Sequence, residues 1–200
     1  MRPTRGVFAI AMILLLCGAA LNASAQTKTT TTKSAQPTAV GPKEAYCTST
    51  GGLVETRHAV YGTNNAMQNW LPLAGVEGFC QYTSASDGSR IHMSLETLFT
   101  TKPTLAALAY YAQVPWNGKG NGNPASFYCT QIGGAEIGAT DLNGGAWVTT
   151  GGIDNLLETC VFPDNSTIDS WGLLYHSVGT IRGTDLSTVL KYSNPYSASK

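Results

Sequence analysis

The sequence predicts an α+β protein made of two tandem, disulfide-stapled helix–strand–strand–helix units. Their small antiparallel sheets either stay apart or join into one. Three observations carry this reading. A stretch starting near Pro42 returns almost unchanged near Pro124, each copy keeps two cysteines at nearly equal spacing, and a period-two segment follows each Gly-Gly pair. Internal repetition constrains architecture more than local propensity does, because each copy must bury the same face.

The N-terminus stands outside that plan. Arg2 and Arg5 form a positive n-region, Val7 to Leu21 is a nearly unbroken apolar run, and Ala23-Ser24-Ala25 supplies a small-x-small cleavage site before Gln26. The run is shorter than the roughly 20 residues that span a bilayer, so residues 1–25 read as a cleaved signal peptide rather than an anchor. Leu14-Leu15-Leu16 before Cys17 disfavours a lipoprotein signal, which wants a small residue there. Residues 26–43 are a Thr-, Lys- and Pro-rich tether that cannot build a core. After cleavage no segment is long and apolar enough for a membrane span. The expected location is secreted or periplasmic.

Lys+Arg and Asp+Glu number twelve each; without Arg2 and Arg5 ten bases face twelve acids. A nucleic-acid binder would carry a clear basic excess, so that class is excluded. The charge is uneven: residues 123–192 hold seven acids but only Arg182 and Lys191 as bases. That stretch reads as a solvated acidic surface.

The first unit spans 44–112, a Gly- and Asn-rich linker 113–122, the second unit 123–192, and a tail 193–200. At a constant offset of 82, Pro42, Tyr46, Cys47, Thr48, Gly51 and Gly52 match Pro124, Tyr128, Cys129, Thr130, Gly133 and Gly134. Each copy of this stretch has helix logic. Asn123 is a good N-cap and Pro124 loses no useful N–H at the first helical position. Ala125, Tyr128, Cys129 and Ile132 share one face, and Gly133 can take the left-handed conformation that ends a helix. A first strand follows each Gly-Gly ("LVETR", "AEIGAT"). The second strand holds the second cysteine, with Val76 and Tyr82, or Leu156 and Phe162, on the same face. A turn ("SDGS", "PDNS") then leads to a closing helix. Its apolar stripe is Ile91, Leu95 and Leu98 in the first unit, and Ile168, Trp171, Tyr175 and Val178 in the second.

Without Cys17, four cysteines remain, at spacings of 33, 49 and 31 residues. These spacings are too wide for a zinc site, and an even number in an exported chain reads as disulfides. Four cysteines allow three pairings. A duplicated unit should keep its own staple, which selects Cys47–Cys80 and Cys129–Cys160. Closing loops of that length contributes roughly 3.5–4 kcal/mol in the chain-entropy model.

"NPASFYCTQIGG…CVFPDNSTIDSW" resembles a bacterial family, domain of unknown function 333, often labelled haemolysin. The residues carrying the resemblance are Asn123, Pro124, Ala125, Tyr128, Cys129, Gly133, Gly134, Cys160, Pro163, Asp164, Ser166 and Trp171. It covers about 123–175. Residues 41–99 look like a degenerate copy that keeps Tyr46, Cys47, Gly51, Gly52, Cys80, Asp87, Gly88 and Ser89, gains three residues after Cys80 and has Ser94 where the tryptophan falls. The resemblance implies a small, exported, disulfide-linked domain without assigned catalytic residues. The haemolysin label implies little, since no pore-forming segment is visible.

Both copies replace the family's short strand–strand turn with long joins, Ala59 to Gly75 and Asp141 to Asn155. Loops of this length are usually functional. They carry Tyr61, Met67, Trp70 and Trp147; either these aromatics fold back onto the sheet or the other unit, or Tyr61, Trp70 and Trp147 are the binding residues, as apolar anchors for a protein or surface glycan. Catalytic residues are not found. His58, His92 and His176 lie in no nucleophile motif, and no G-x-S-x-G, H-E-x-x-H or Walker loop occurs. "DLNGG" starts like a calcium loop but reaches Gly152 where position twelve needs glutamate. Asp154 and Glu158 lack an enclosing pocket that would make them an acid–base pair. No metal or cofactor is implied. The expected function is therefore a non-catalytic binding or inhibitor module. The alternatives are a structural or envelope-stress protein without a specific ligand and, third, an unrecognised hydrolase.

Overall fold

The computed structural model describes residues 40–136, 143–150 and 152–197, without the side chains of 152–155. The expected signal peptide, the tether as far as residue 39 and the last three residues of the tail lie outside these. In chain order the elements are α1 (Pro42–Ser49), β1 (Leu53–Tyr61), β2 (Leu71–Thr83), β3 (Arg90–Ser94), α2 (Leu95–Phe99), α3 (Leu105–Ala112), α4 (Pro124–Gln131), β4 (Ala135–Glu136), β5 (Gly145–Thr149), β6 (Gly152–Leu157), β7 (Thr159–Val161), β8 (Thr167–Asp169) and α5 (Ser170–Ser177).

The repeated stretches fold alike. Asn123 caps α4 by accepting the N–H of Ala125, and Pro occupies the first turn of both α1 and α4. Ala125, Tyr128 and Cys129 are buried, as the periodicity requires. Gly51 and Gly133, which follow α1 and α4, both sit at φ +88°, where a Cβ would be strained. The second glycine of each pair has a different reason. A Cβ on Gly52 would run into the sulfurs of Cys80 and Cys47, and one on Gly134 into those of Cys160 and Cys129. Each disulfide rests on bare backbone. The bridges are Cys47–Cys80 and Cys129–Cys160, with Cα atoms 5.7 Å and 5.5 Å apart. Duplication selects these same pairs.

The sheet is larger than expected. Eight antiparallel strands form one curled half-barrel in the order β4-β7-β8-β3-β2-β1-β5-β6. Two causes enlarge it. Each unit has a third strand, β3 or β8, where the sequence reading placed the start of the closing helix: Ile91 and Ile168 are strand residues. The long joins are also mostly strand. β1 runs to Tyr61, β2 starts at Leu71, and the β5–β6 hairpin, drawn from the second unit, pairs with β1 of the first through Ala59↔Trp147 and Val60↔Ala146.

The units meet at β3 and β8, where Met93 pairs with Ile168. On either side the registers correspond: Cys80↔Met93 and Cys160↔Ile168, Phe79↔Ser94 and Thr159↔Asp169. Met93 lies thirteen residues after Cys80, and Ile168 eight after Cys160, so the three residues gained before Ser89 are joined by two more between the turn and the third strand. Ser94 then matches Asp169, and both cap the helix that follows, accepting from Thr97 and Gly172. The counterpart of Trp171 is Glu96, not Ser94.

One sheet face is apolar and covered by helices. Tyr82, Ile91, Met93, Ile168 and Phe162 bury there with both disulfides, Leu98, Tyr110, Leu173 and Leu174. The buried side of α5 is thus Leu173 and Leu174; Tyr175 and Val178 reach the surface. Val76 and Leu156 share the cysteines' phase but lie beyond the helical layer and are exposed. Helix α3, outside the repeat pattern, begins with N–H groups of Leu105 and Ala106 donating to Asp164 and Ser166 of the other unit's turn. Reciprocally, Gly183 N–H donates to Ser89 of the first unit's turn. Each unit caps the chain leaving the other.

Gly134→Ala and Gly52→Ala should each cost about 1–3 kcal/mol, the usual range for overpacking, because the displaced group is a disulfide. Chemical denaturation should show that loss in one cooperative transition. Two resolved transitions would show that the units unfold separately despite the exchanged caps.

Candidate ligand-binding site on the inner face of the sheet

Strand alternation puts a different set of residues on the uncovered face. Opposite partners in the registers place Glu55, Arg57 and Ala59 of β1 beside Phe79 and Gln81 of β2, His92 and Ser94 of β3, Asp169 of β8, Thr159 of β7 and Trp147 of β5. The curl encloses this face. β6 ends the sheet on one side and β7 lies next to last on the other, yet only Glu158 separates them in sequence. The two margins must therefore approach each other.

Glu158 is held at this bend by motif residues. Asn123 Nδ2 and Trp171 Nε1 both donate to its Oε2 at 2.7 Å, and its carbonyl accepts the N–H of Ser170. It is not one of an acid–base pair with Asp154, whose side chain lies outside the described set. Glu136 is close by. Burial, aided by the charges of Glu158 and Asp169, pushes its carboxyl up to about 7, although the Ser170 hydroxyl opposes the rise.

A cavity of about 370 Å³ borders this face, lined by Arg57, His92 and Asp169 at the sheet, Leu156 and Leu157 of β6, Trp171 and Tyr175 of α5, and Arg90 and Arg182. Arg57 is only 1 % exposed. A charge so buried needs a partner and full hydrogen bonding. Its Nε and Nη2 donate to Glu55 Oε2 at 2.8 Å and 2.7 Å, and Nη1 reaches the carbonyl of Trp147 at 3.4 Å. Nη2 also lies 3.2 Å from Nε2 of His92, whose other neighbours are Gln81 Oε1 at 3.0 Å and Asp169 Oδ2, 3.3 Å from Nδ1. Asp169 Oδ1 meanwhile caps α5, accepting the Gly172 N–H at 2.8 Å.

The network sets the ionisation of its members. Burial works against the imidazolium of His92, but hydrogen bonds to Asp169 and Glu55 and the Asp169 charge outweigh it, so its pKa stands above the ordinary value. Burial likewise opposes the carboxylate of Glu55, and the hydrogen bonds and charges of His92 and Arg57 hold it below the usual carboxylate range.

Of the three expected binding residues, Trp147 is inside the fold. It is 8 % exposed, meets Phe79 edge to face at 5.6 Å and donates Nε1–H to Thr159 Oγ1. Its segment is a strand paired on both sides, not a loop, so its ring is core and cannot be an exposed anchor. Tyr61 and Trp70 are half-buried: the Tyr61 hydroxyl accepts from Asn143, and Trp70 Nε1 donates to the carbonyl of Asn65. Neither lines the cavity. Of the histidines, His58 meets Thr150 on the exposed side, and His176 stacks on Tyr110 with ring centroids 3.8 Å apart. His92 alone belongs to the cavity. The signal for this site was charged residues two apart, Glu55 and Arg57, inside a strand otherwise bound for a core.

Three outcomes follow. Trp147→Ala should cost about 3–5 kcal/mol, the range for a truncated core aromatic, measured by denaturant titration. His92 has a raised pKa, so its contribution is fully present below its ordinary 6.5 and is lost as pH rises through the folded value. The stability gap between wild type and His92→Gln should therefore be wider at pH 5.5 than at pH 8. The carboxyl of Glu136 is raised as well, so its charged form is penalised increasingly from pH 4.5 to about 7. Glu136→Gln should gain relative to wild type over that interval; thermal melts across pH read both slopes.

Comparison with curated proteins found no match, and neither did comparison with solved structures. A family model matches residues 120–177, which run from just before α4 to the end of α5 and include Cys129–Cys160 and the Asn123–Glu158–Trp171 bend. That stretch of the chain is a DUF333 domain, a domain of unknown function.

Proposed function

We propose that the protein is a non-catalytic, extracytoplasmic module that binds a small molecule in the cavity of the curled sheet. The observation that carries this reading is Arg57, a charge withdrawn almost wholly from water yet facing an open cavity rather than a packed layer. A buried ion pair is a poor device for stability, since apolar residues of similar size often serve as well or better. Its presence on a cavity wall is better explained by what the cavity receives. Protein cavities of roughly 300–1,000 Å³ with a few convergent polar groups are the usual form of small-molecule sites. The volume here is near the lower end.

The two disulfides point to an oxidising compartment outside the cytoplasm. Among the described residues no helix is long and apolar enough to cross a membrane. A secreted or periplasmic location agrees with both. The inhibitor reading, with Tyr61 and Trp70 as its anchors, is a weaker form of the same proposal, because both side chains already have partners within the fold.

Leu156→Trp tests the site by filling the cavity from an exposed strand position. Wild-type protein incubated with a small-molecule extract of its host, desalted and measured by native mass spectrometry should retain a low-mass adduct. The variant should lose that adduct at an unchanged melting temperature. An adduct retained equally by both proteins, or by neither, overturns the reading.

A further inference from the structure

We infer that a second cavity, between the ends of α3 and α5 and the C-terminal tail, binds a neutral polyhydroxylated ring such as a sugar, held by Gln113, Asp185 and Asn194 beside Tyr196. It is separate from the cavity at the sheet and does not depend on it.

The space is about 320 Å³, and distant parts of the chain wall it. Tyr111 and Gln113 come from the end of α3, His176 from α5, Asp185 from the cap of the 3-10 turn Leu186–Thr188, and Asn194 and Tyr196 from the tail. Hydrogen bonds hold these walls in place. The Tyr110 hydroxyl donates to Asp185 Oδ1 at 3.3 Å and accepts the Leu186 N–H at 3.0 Å. Tyr111 donates its hydroxyl to the carbonyl of Tyr192, and Asn194 Oδ1 accepts the Tyr196 N–H at 2.9 Å. The tail from 193 to 197 is thereby folded back as a wall.

Gln113 is the residue that points to a ligand. It ends α3 in the left-handed conformation, at φ +47° and ψ +44°. Glycine or asparagine fills such a position with less strain, so a glutamine there is best explained by its side chain. Its Nε2 donates to Nε2 of His176 at 3.0 Å. His176 can accept because burial, opposed by the Asp185 charge, holds its pKa below the ordinary value, and the ring is neutral at pH 7. The ring itself is fixed by stacking on Tyr110. The amide of Gln113 is thus oriented before anything binds.

The remaining polar atoms describe what the cavity receives. Among the described residues Gln113 Oε1, Asp185 Oδ2 and Asn194 Nδ2 make no hydrogen bond, which leaves two acceptors and a donor at one space. A hydroxyl donates and accepts at once, so a ring of hydroxyls can answer all three. An apolar ligand would bury them unpaired, and the Asp185 charge disfavours an anion. Tyr196, 46 % exposed at the cavity, adds an aromatic ring for the C–H surface of a sugar.

The methyl glycosides of glucose, galactose, mannose and N-acetylglucosamine are the probes, with tetramethylammonium and acetate as ions for comparison. In NMR titrations of the isotope-labelled mature chain, at least one glycoside should bind with Kd on the order of 1 mM, reasonable for so small a ligand. It should shift the amides of Gln113, His176 and Asn194 rather than those of Arg57 and Trp171. Both ions should bind at least about tenfold more weakly. Gln113→Gly should weaken the glycoside by about tenfold without lowering the melting temperature, since glycine relieves the left-handed strain. Tyr196→Ala, at an exposed position, should weaken it by a similar factor. If no glycoside of the panel binds, the inference falls. Shifts gathered at Arg57 and Trp171 would give the sugar to the other cavity and overturn it as well. Either ion binding as tightly as the glycoside would make charge the recognised feature, with the same consequence. Binding indifferent to both substitutions overturns it outright.

Discussion

The one-residue join at Glu158 is the constraint on which the rest of the structure depends. β6 and β7 belong to opposite margins of an eight-stranded sheet, and a single residue cannot cross a flat sheet of that width. The sheet has to curl until its margins meet. The carboxylate at the join is fixed by Asn123 from the start of α4 and Trp171 from the start of α5. The helical layer and the bend are thereby locked to one another. The junction also sets the end of β6, whose Leu156 and Leu157 line the cavity.

Curling a sheet creates two unequal faces. The outer one meets the helices and is built from disulfides and apolar side chains. The inner one carries a short apolar cluster of Ala59, Phe79, Trp147 and Leu157 beside a charged network. That network has a shared logic. Arg57 is tolerable because Glu55 pairs with it, Glu55 stays ionised because Arg57 and His92 surround it, and His92 is tied through Asp169 to the cap of α5. Removing one member would leave another as an uncompensated buried charge, typically the most damaging change such a network can suffer.

The two halves of the sheet share their registers but do not fold as neighbours on a string. Their third strands pair at Met93 and Ile168, the β5–β6 hairpin of one extends the sheet of the other, and the turn of each caps the segment leaving its partner. Asn165, at φ +62°, and Gly88, at φ +70°, keep the corresponding turns in the left-handed conformation that brings Ser166 and Ser89 to those caps. The turn motifs are therefore joints between units as much as turns within them.

The repeated helix, its glycine stop and the disulfide pairing were legible in the sequence because each is local or is copied. Pro124, Gly133 and the buried face of α4 follow from spacing alone, and duplication chose among cysteine pairings that spacing could not separate. The second glycine was visible only as an identity; its reason, a disulfide lying where its side chain would be, needs two distant segments in contact. The long joins misled because Trp147 and its neighbours read as an aromatic loop until β1 supplies a partner strand, and β-propensity without a known partner decides little. The inner site depended most on tertiary structure. Arg57, His92, Asp169 and Arg182 come from β1, β3, β8 and the segment after α5, and no spacing rule connects residues that meet only when a sheet closes. Local chemistry and repetition determined the parts; the curl of the sheet decided which of them face each other.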